Sequence, residues 1–118
     1  MIQFLDALRA DDDTRRILEE HIADNDEVLA PLLVGDLRRR AEELYARGDD
    51  DQLSALLEIL NSALRDGDEY LNNAVAVSFV EDARIWDPTV QSFVESWPRD
   101  LTFEAERQRR WSQEHKHP

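Results

Sequence analysis

No cysteine occurs in the chain. That excludes disulfides, thiolate-held metals and a cysteine nucleophile. Glycine appears three times and proline four times in 118 residues. Neither a glycine-rich phosphate loop nor a flexible linker can be built from so few. Lysine is almost missing: Lys116 is the one example, and every other cationic side chain is arginine. We read that bias as the imprint of a GC-rich genome, hence a high-GC bacterium, rather than as mechanism. Long apolar runs are missing too. The longest, Val28–Val34, is seven residues with Pro31 inside it, whereas a bilayer span needs about 20. Asp6 and Arg9 stand within the first ten residues, which breaks any signal-peptide pattern. The expectation is a soluble, cytoplasmic protein.

What is present is acid. Aspartate and glutamate number 27 against 14 lysines and arginines, a net charge of −13. The surplus lies in the first ninety residues, and residues 91–118 are balanced. Such a field repels nucleic-acid backbones and anionic lipid, so neither nucleic acid nor membrane is expected as a partner. Apolar residues make up 42% and charged residues 35%, a globular composition. A chain of this length buries about two thirds of its unfolded surface, enough for one unstapled core. The expected organisation is a single helical domain over 1–118, with about 112–118 as a frayed tail.

Helical spacing runs through every apolar segment. Phe4, Leu5 and Leu8 predict a short first helix. Asp13 or Thr14 caps a second one, carrying Ile17, Leu18 and Ile22. Asp26 caps a short segment through Leu33, and Gly35-Asp36 restarts a helix with Leu37, Ala41, Leu44 and Tyr45. After Gly48, Asp50 or Asp51 caps a helix whose Leu53, Leu56, Leu57, Leu60 and Leu64 form one stripe. Gly67 suits a left-handed helix end and Asp68 the next cap. The segment from Tyr70 to Val80 is apolar nearly all round and predicts the most buried helix; a strand over Val75–Val80 is the alternative. Asp87-Pro88 opens a helix with Val90, Phe93, Val94 and Trp97, and Pro98 ends it. A last helix runs from Leu101 to about His115, with Leu101, Phe103 and Trp111 apolar. The fold class is therefore all-α, six or seven antiparallel helices in a compact array. The recurrence of Gly-Asp at residues 48 and 67 leaves a short α-solenoid open as its form.

Chemistry-bearing constellations are sparse. His21 with Asp24, Asp26 and Glu27 could gather at one helix end, but Val28 stands where a calcium loop needs oxygen, and zinc wants more histidine. Asp11-Asp12-Asp13 and Asp49-Asp50-Asp51 lie at helix boundaries, where acids favour the dipole. No serine sits in a nucleophile elbow. Arg38 and Arg39 pair with Glu42 and Glu43 four residues on, which dissolves the one early basic run. His115, Lys116 and His117 read as solvated tail. No catalytic, cofactor or metal residue is assigned. The most suggestive group is Glu81, Asp82, Trp86 and Asp87, where the most apolar helix meets a loop. A large aromatic among acids fits a hot spot for a cationic partner; the competing reading folds Trp86 back as core. Glu81 and Asp82 also sit late in their helix, against its dipole.

Asp24–Leu29, followed by Gly35-Asp36-Leu37, is one familiar stretch, and Asn73–Glu81 is a second. Together they resemble a group of small, acidic, all-helical bacterial domains of unknown function, some treated as immunity-like proteins beside toxins. The resemblance covers about residues 20–85, and the family pattern has glycine where this chain has Asp26. It implies a helical fold, no assigned active site, and a role as a protein-binding antidote. The resulting expectation is an acidic protein-binding domain that neutralises a basic, toxin-like partner. The alternatives are a helical adaptor or uncharacterised domain without catalysis and, further off, a carboxylate or metal enzyme.

Overall fold

The computed structural model describes residues 1–114, and every regular element among them is helical. Seven α-helices follow in order: α1 Ile2–Ala10, α2 Asp12–Asn25, α3 Ala30–Arg47, α4 Asp50–Asp66, α5 Glu69–Val75, α6 Gln91–Glu95 and α7 Arg99–Glu114. Helix α5 runs on into a π-helical turn, Ala76–Val80, and a 3-10 turn, Glu81–Ala83. A second 3-10 turn, Pro88–Val90, leads into α6. The fold is all-α, and the strand alternative at Val75–Val80 is overturned. Helix α7 extends to Glu114, into the stretch expected as a tail; residues 115–118 lie outside the described residues.

The helix starts correct several expectations. An N-cap stands just before the first turn, in backbone that is not helical. In each acid triplet the first aspartate holds that place. Asp11 accepts the Thr14 N–H at 3.0 Å, and Asp49 accepts the Gln52 N–H at 3.4 Å. Asp12, Asp13, Asp50 and Asp51 fall inside the first turns instead, where their charge favours the dipole. Asp68 caps α5 as expected, accepting the Leu71 N–H at 2.8 Å. Asp26 does not open a helix. It closes α2 in left-handed backbone, φ 62°, with its N–H donating to Ile22 O at 2.8 Å.

Helix α3 is unbroken through Gly35, because a helix-interior glycine costs only about 1 kcal/mol and Pro31 lies in the first turn. Its cap residue, Leu29, has no side-chain acceptor to offer. Partners from elsewhere serve: His21 Nε2 accepts the Leu29 N–H at 2.9 Å, and Tyr70 Oη accepts the Ala30 N–H at 3.2 Å. Helix α7 is served likewise. Asn61 Oδ1 accepts the Leu101 N–H at 3.0 Å while Asn61 Nδ2 donates to Asp100 Oδ2 at 2.9 Å. Gly67 is extended (φ −73°, ψ 163°), not left-handed. It is glycine for space: a Cβ there would lie 2.4 Å from Ala63 O.

The leucine stripe of α4 is buried along its whole length. Phe79 lies at the centre of an aromatic cluster, its ring 4.9 Å from Trp97 and 6.5 Å from Phe93. The segment expected to be buried all round is not: Tyr70 and Val77 reach the surface. In α7, Leu101 and Ala105 face the core while Phe103 and Trp111 are exposed. Helix α1 packs on α4, and α4 on α7. A solenoid, in which each repeat touches only its neighbours, is thereby set aside for a closed core.

Charge pairs tie the surface together. Arg38 meets Glu42 at 2.8 Å as expected. Arg39 turns instead to Asp36, and Glu43 is taken by Arg40. Arg40 also crosses to Asp13 on α2, Nε to Oδ2 2.9 Å, with both side chains largely buried. Burial pushes the Asp13 carboxyl up, but hydrogen bonds from Arg40 and Arg16 outweigh it and hold the group below its ordinary value. A carboxylate depressed in the folded state adds stability above its unfolded pKa of about 3.9 and loses it as pH falls through the folded value. Asp13→Asn should therefore cost about 1.5–3 kcal/mol at neutral pH, and the deficit should shrink in acid, below the unfolded pKa of about 3.9. Urea unfolding at neutral and acid pH measures it; a deficit independent of pH would remove the ion pair from the account.

Candidate functional site

The candidate site is built where the α5 segment leaves its α-helical register. The π-turn at Ala76–Val80 adds one residue to the helical circuit. Side chains from two other helices reach its backbone oxygens. Gln108 Nε2 donates to Ala76 O at 3.0 Å and Arg38 Nε to Ser78 O at 3.2 Å. The 3-10 turn Glu81–Ala83 follows, and Arg84 ends it in left-handed backbone, φ 61°. A non-glycine residue there stores about 1–2 kcal/mol of strain, so the surroundings must hold it.

They do so from several sides. The Ile85 side chain is buried. Its carbonyl accepts Arg109 Nη2 at 2.7 Å, Arg109 Nε at 3.2 Å and Gln91 Nε2 at 3.0 Å. Arg109 Nη2 also donates to Gln91 Oε1 at 3.1 Å. Asp87 Oδ1 accepts the Thr89 N–H at 2.9 Å and the Thr89 hydroxyl at 2.8 Å. The Thr89 amide first, then its hydroxyl and more weakly the Arg84 charge, hold the Asp87 carboxyl below its ordinary value. Trp86, between these two anchored residues, is left 66% exposed. The core reading of Trp86 is thus replaced: Ile85 and Trp97 go inward, and Trp86 stays out. Arg109→Ala should remove the brace on Ile85 O at a cost of about 1–2 kcal/mol. Time-resolved Trp86 fluorescence anisotropy should show faster ring motion; an unchanged decay would mean the turn is held without Arg109.

Glu81, Asp82, Trp86 and Asp87 all line one groove of about 650 Å³. Glu42 adds a fourth carboxylate, against the guanidiniums of Arg38 and Arg84. Arg38 is already engaged by Glu42 and Ser78 O. Glu81 and Asp82 are exposed, and their side chains have no hydrogen bond or ion pair among the described residues. A second groove of about 660 Å³ runs along the other side of Glu81 and Trp86, toward Val77 and Trp111. Sequence reasoning missed that second wall.

The other constellations do not assemble. His21 is buried and turned to the Leu29 amide, with Asn25 Nδ2 3.3 Å from its other ring nitrogen. Among the described residues no three His, Asp or Glu side chains could hold a metal ion together. His115, Lys116 and His117 lie outside those residues. Among the described residues, no helix is long and apolar enough to cross a membrane.

Comparisons with curated proteins and with solved structures each found no match. The sequence profile of a domain of unknown function (DUF7674) matches residues 4–112, which takes in all seven helices apart from the extreme ends of α1 and α7. The chain belongs to the DUF7674 family, a domain of unknown function.

Proposed function

We propose that this domain is a non-catalytic protein-binding module whose Glu81–Asp87 groove takes a basic partner. In its sharper form the reading is a cytoplasmic bacterial antidote that neutralises a basic toxin. One observation carries it: Glu81 and Asp82 remain without ion pairs beside an exposed Trp86 on a braced turn. Other exposed acids without an ion pair, such as Asp24, Glu27 and Glu95, do not line this groove. An exposed indole between unpaired carboxylates offers an apolar anchor ringed by attraction for cations. The turn is already ordered, so binding would not have to fix it. The net charge of −13 would speed encounter with a cationic protein.

A second reading, a helical adaptor for an apolar peptide, is favoured by a different feature. A groove of about 570 Å³ lies between α1, α4 and the start of α5, walled by Ile2, Phe4, Ile59 and Leu71.

The test uses the protein encoded beside this one as ligand. Glu81→Lys with Asp82→Lys should weaken association by about tenfold or more, and the loss should fade in high salt if steering dominates. The control is Asp24→Lys with Glu27→Lys, two exposed acids that do not line the groove. If both double variants stay folded and bind equally, the acidic groove is not the binding face. Loss of binding on Ile2→Asp alone would favour the adaptor reading.

A further inference from the structure

We infer that the groove between Trp86 and Trp111 receives an amphipathic basic segment of the partner, an apolar side chain entering it while a neighbouring arginine lies on the Trp86 ring and reaches Glu81 and Asp82. This rests on the reading of a basic partner and adds what the partner must look like. Glu81 and Trp86 line both grooves, so the acidic one and the apolar one share a wall. The apolar side presents Val77, Trp86 and Trp111, which are 40%, 66% and 58% exposed. Its volume, about 660 Å³, falls in the range of sites that take side chains or small ligands.

Charge selects the occupant. Of the cations along the groove, Arg107 is paired with Glu104 at 2.6 Å, while Arg109 keeps its charge but has its N–H groups turned to Ile85 O and Gln91. Glu81 on the shared wall and Asp82 beside it in the acidic groove are not committed among the described residues. An incoming segment therefore meets hydrocarbon and indole on one side and unpaired carboxylate on the other. Arginine fits that junction better than lysine, because its planar guanidinium stacks on an indole and still presents N–H groups to carboxylates. Helix-in-groove recognition uses such spacing, with anchors three and four residues apart.

The probe is a short synthetic peptide with leucines spaced three and four apart and arginines between them. The readout is the indole N–H signals of the labelled protein, which has three tryptophans. The Trp86 and Trp111 signals should move on titration, while the signal of Trp97, buried at 5% exposure, stays as internal control. Val77→Asp and Trp111→Ala should each weaken the peptide by about tenfold. Replacing leucine by serine in the peptide should do the same, and lysine for arginine should weaken it several-fold. If the serine peptide binds as well as the leucine one, the inference is overturned and the basic-partner reading stands. If a peptide with glutamate for arginine binds equally, both fall. If the indole signals shift with protein concentration alone, a second copy fills the groove and the inference is overturned. No binding of the leucine–arginine peptide overturns it as well.

Discussion

Phe79→Ala should lower stability by about 3–5 kcal/mol, the largest loss expected from any single truncation considered. Phe79 has no exposed surface. Its ring touches both other aromatics that close the core, Trp97 and Phe93, and Phe93 in turn lies 5.2 Å from Tyr45 on α3. Removing it takes away apolar burial, leaves a void the neighbours fill only partly, and deletes two aromatic contacts of about 0.5–1.5 kcal/mol each beyond area. The π-turn makes collapse harder, since Arg38 and Gln108 already fix the surrounding backbone oxygens. The melting midpoint should fall by about 10–20 °C. Phe79→Leu should recover more than half of that. A midpoint within a degree or two of the parent would show that Phe79 is not the centre of the core.

Asn61→Ala should cost about 2–4 kcal/mol, more than a polar-to-alanine change on a helix usually does. Asn61 is 4% exposed within the leucine stripe of α4. Its two amide atoms are both spent on the start of α7, one on the Leu101 N–H and one on Asp100. Truncation leaves a buried amide donor with no acceptor, worth about 1–3 kcal/mol, and removes a cap, worth about 1 kcal/mol. Asn61→Asp keeps the acceptor but sets two carboxylates face to face, so it should also destabilise, and more so at neutral pH than in acid. Urea midpoints of the two variants at pH 7 and pH 4 read this out. If alanine is neutral, the α7 start is not held from α4.

The parts legible in the sequence were those written in local pattern. The stripe Leu53–Leu64 needs only one helix to make sense, and Asp68 and Asp87-Pro88 are caps recognisable from two or three residues. Other parts were ambiguous for identifiable reasons. An acid triplet tells that a helix begins nearby, yet any of its members could cap; only the backbone picks Asp11 and Asp49. Asp26 looks alike whether it begins a helix or ends one. Gly67 is fixed by the nearness of Ala63 O, which no local pattern encodes. Which tryptophan goes inside was unreadable for a similar reason. The π-turn and the left-handed Arg84 each break helical phase between Phe79 and Trp86, so counting residues no longer tells direction. The four residues of the candidate site were chosen from composition and position, whereas the brace from Arg109, acting across 24 residues of sequence, left no trace that a single chain could show.

Helices α2, α4 and α5 bring their own caps; α3 and α7 borrow theirs, from His21, Tyr70 and Asn61. The borrowed ones make natural clocks. The Ala30 and Leu101 amides are covered only once distant segments have arrived, each by a residue 40 positions away. Their hydrogen exchange should therefore report the closing of the whole molecule, while the Thr14, Gln52 and Leu71 amides report the formation of single helices. In a refolding experiment the second set should gain protection first. A chain cut between α4 and α5 would keep its aspartate caps and lose the Tyr70 cap on α3, so its third helix should fray from the front.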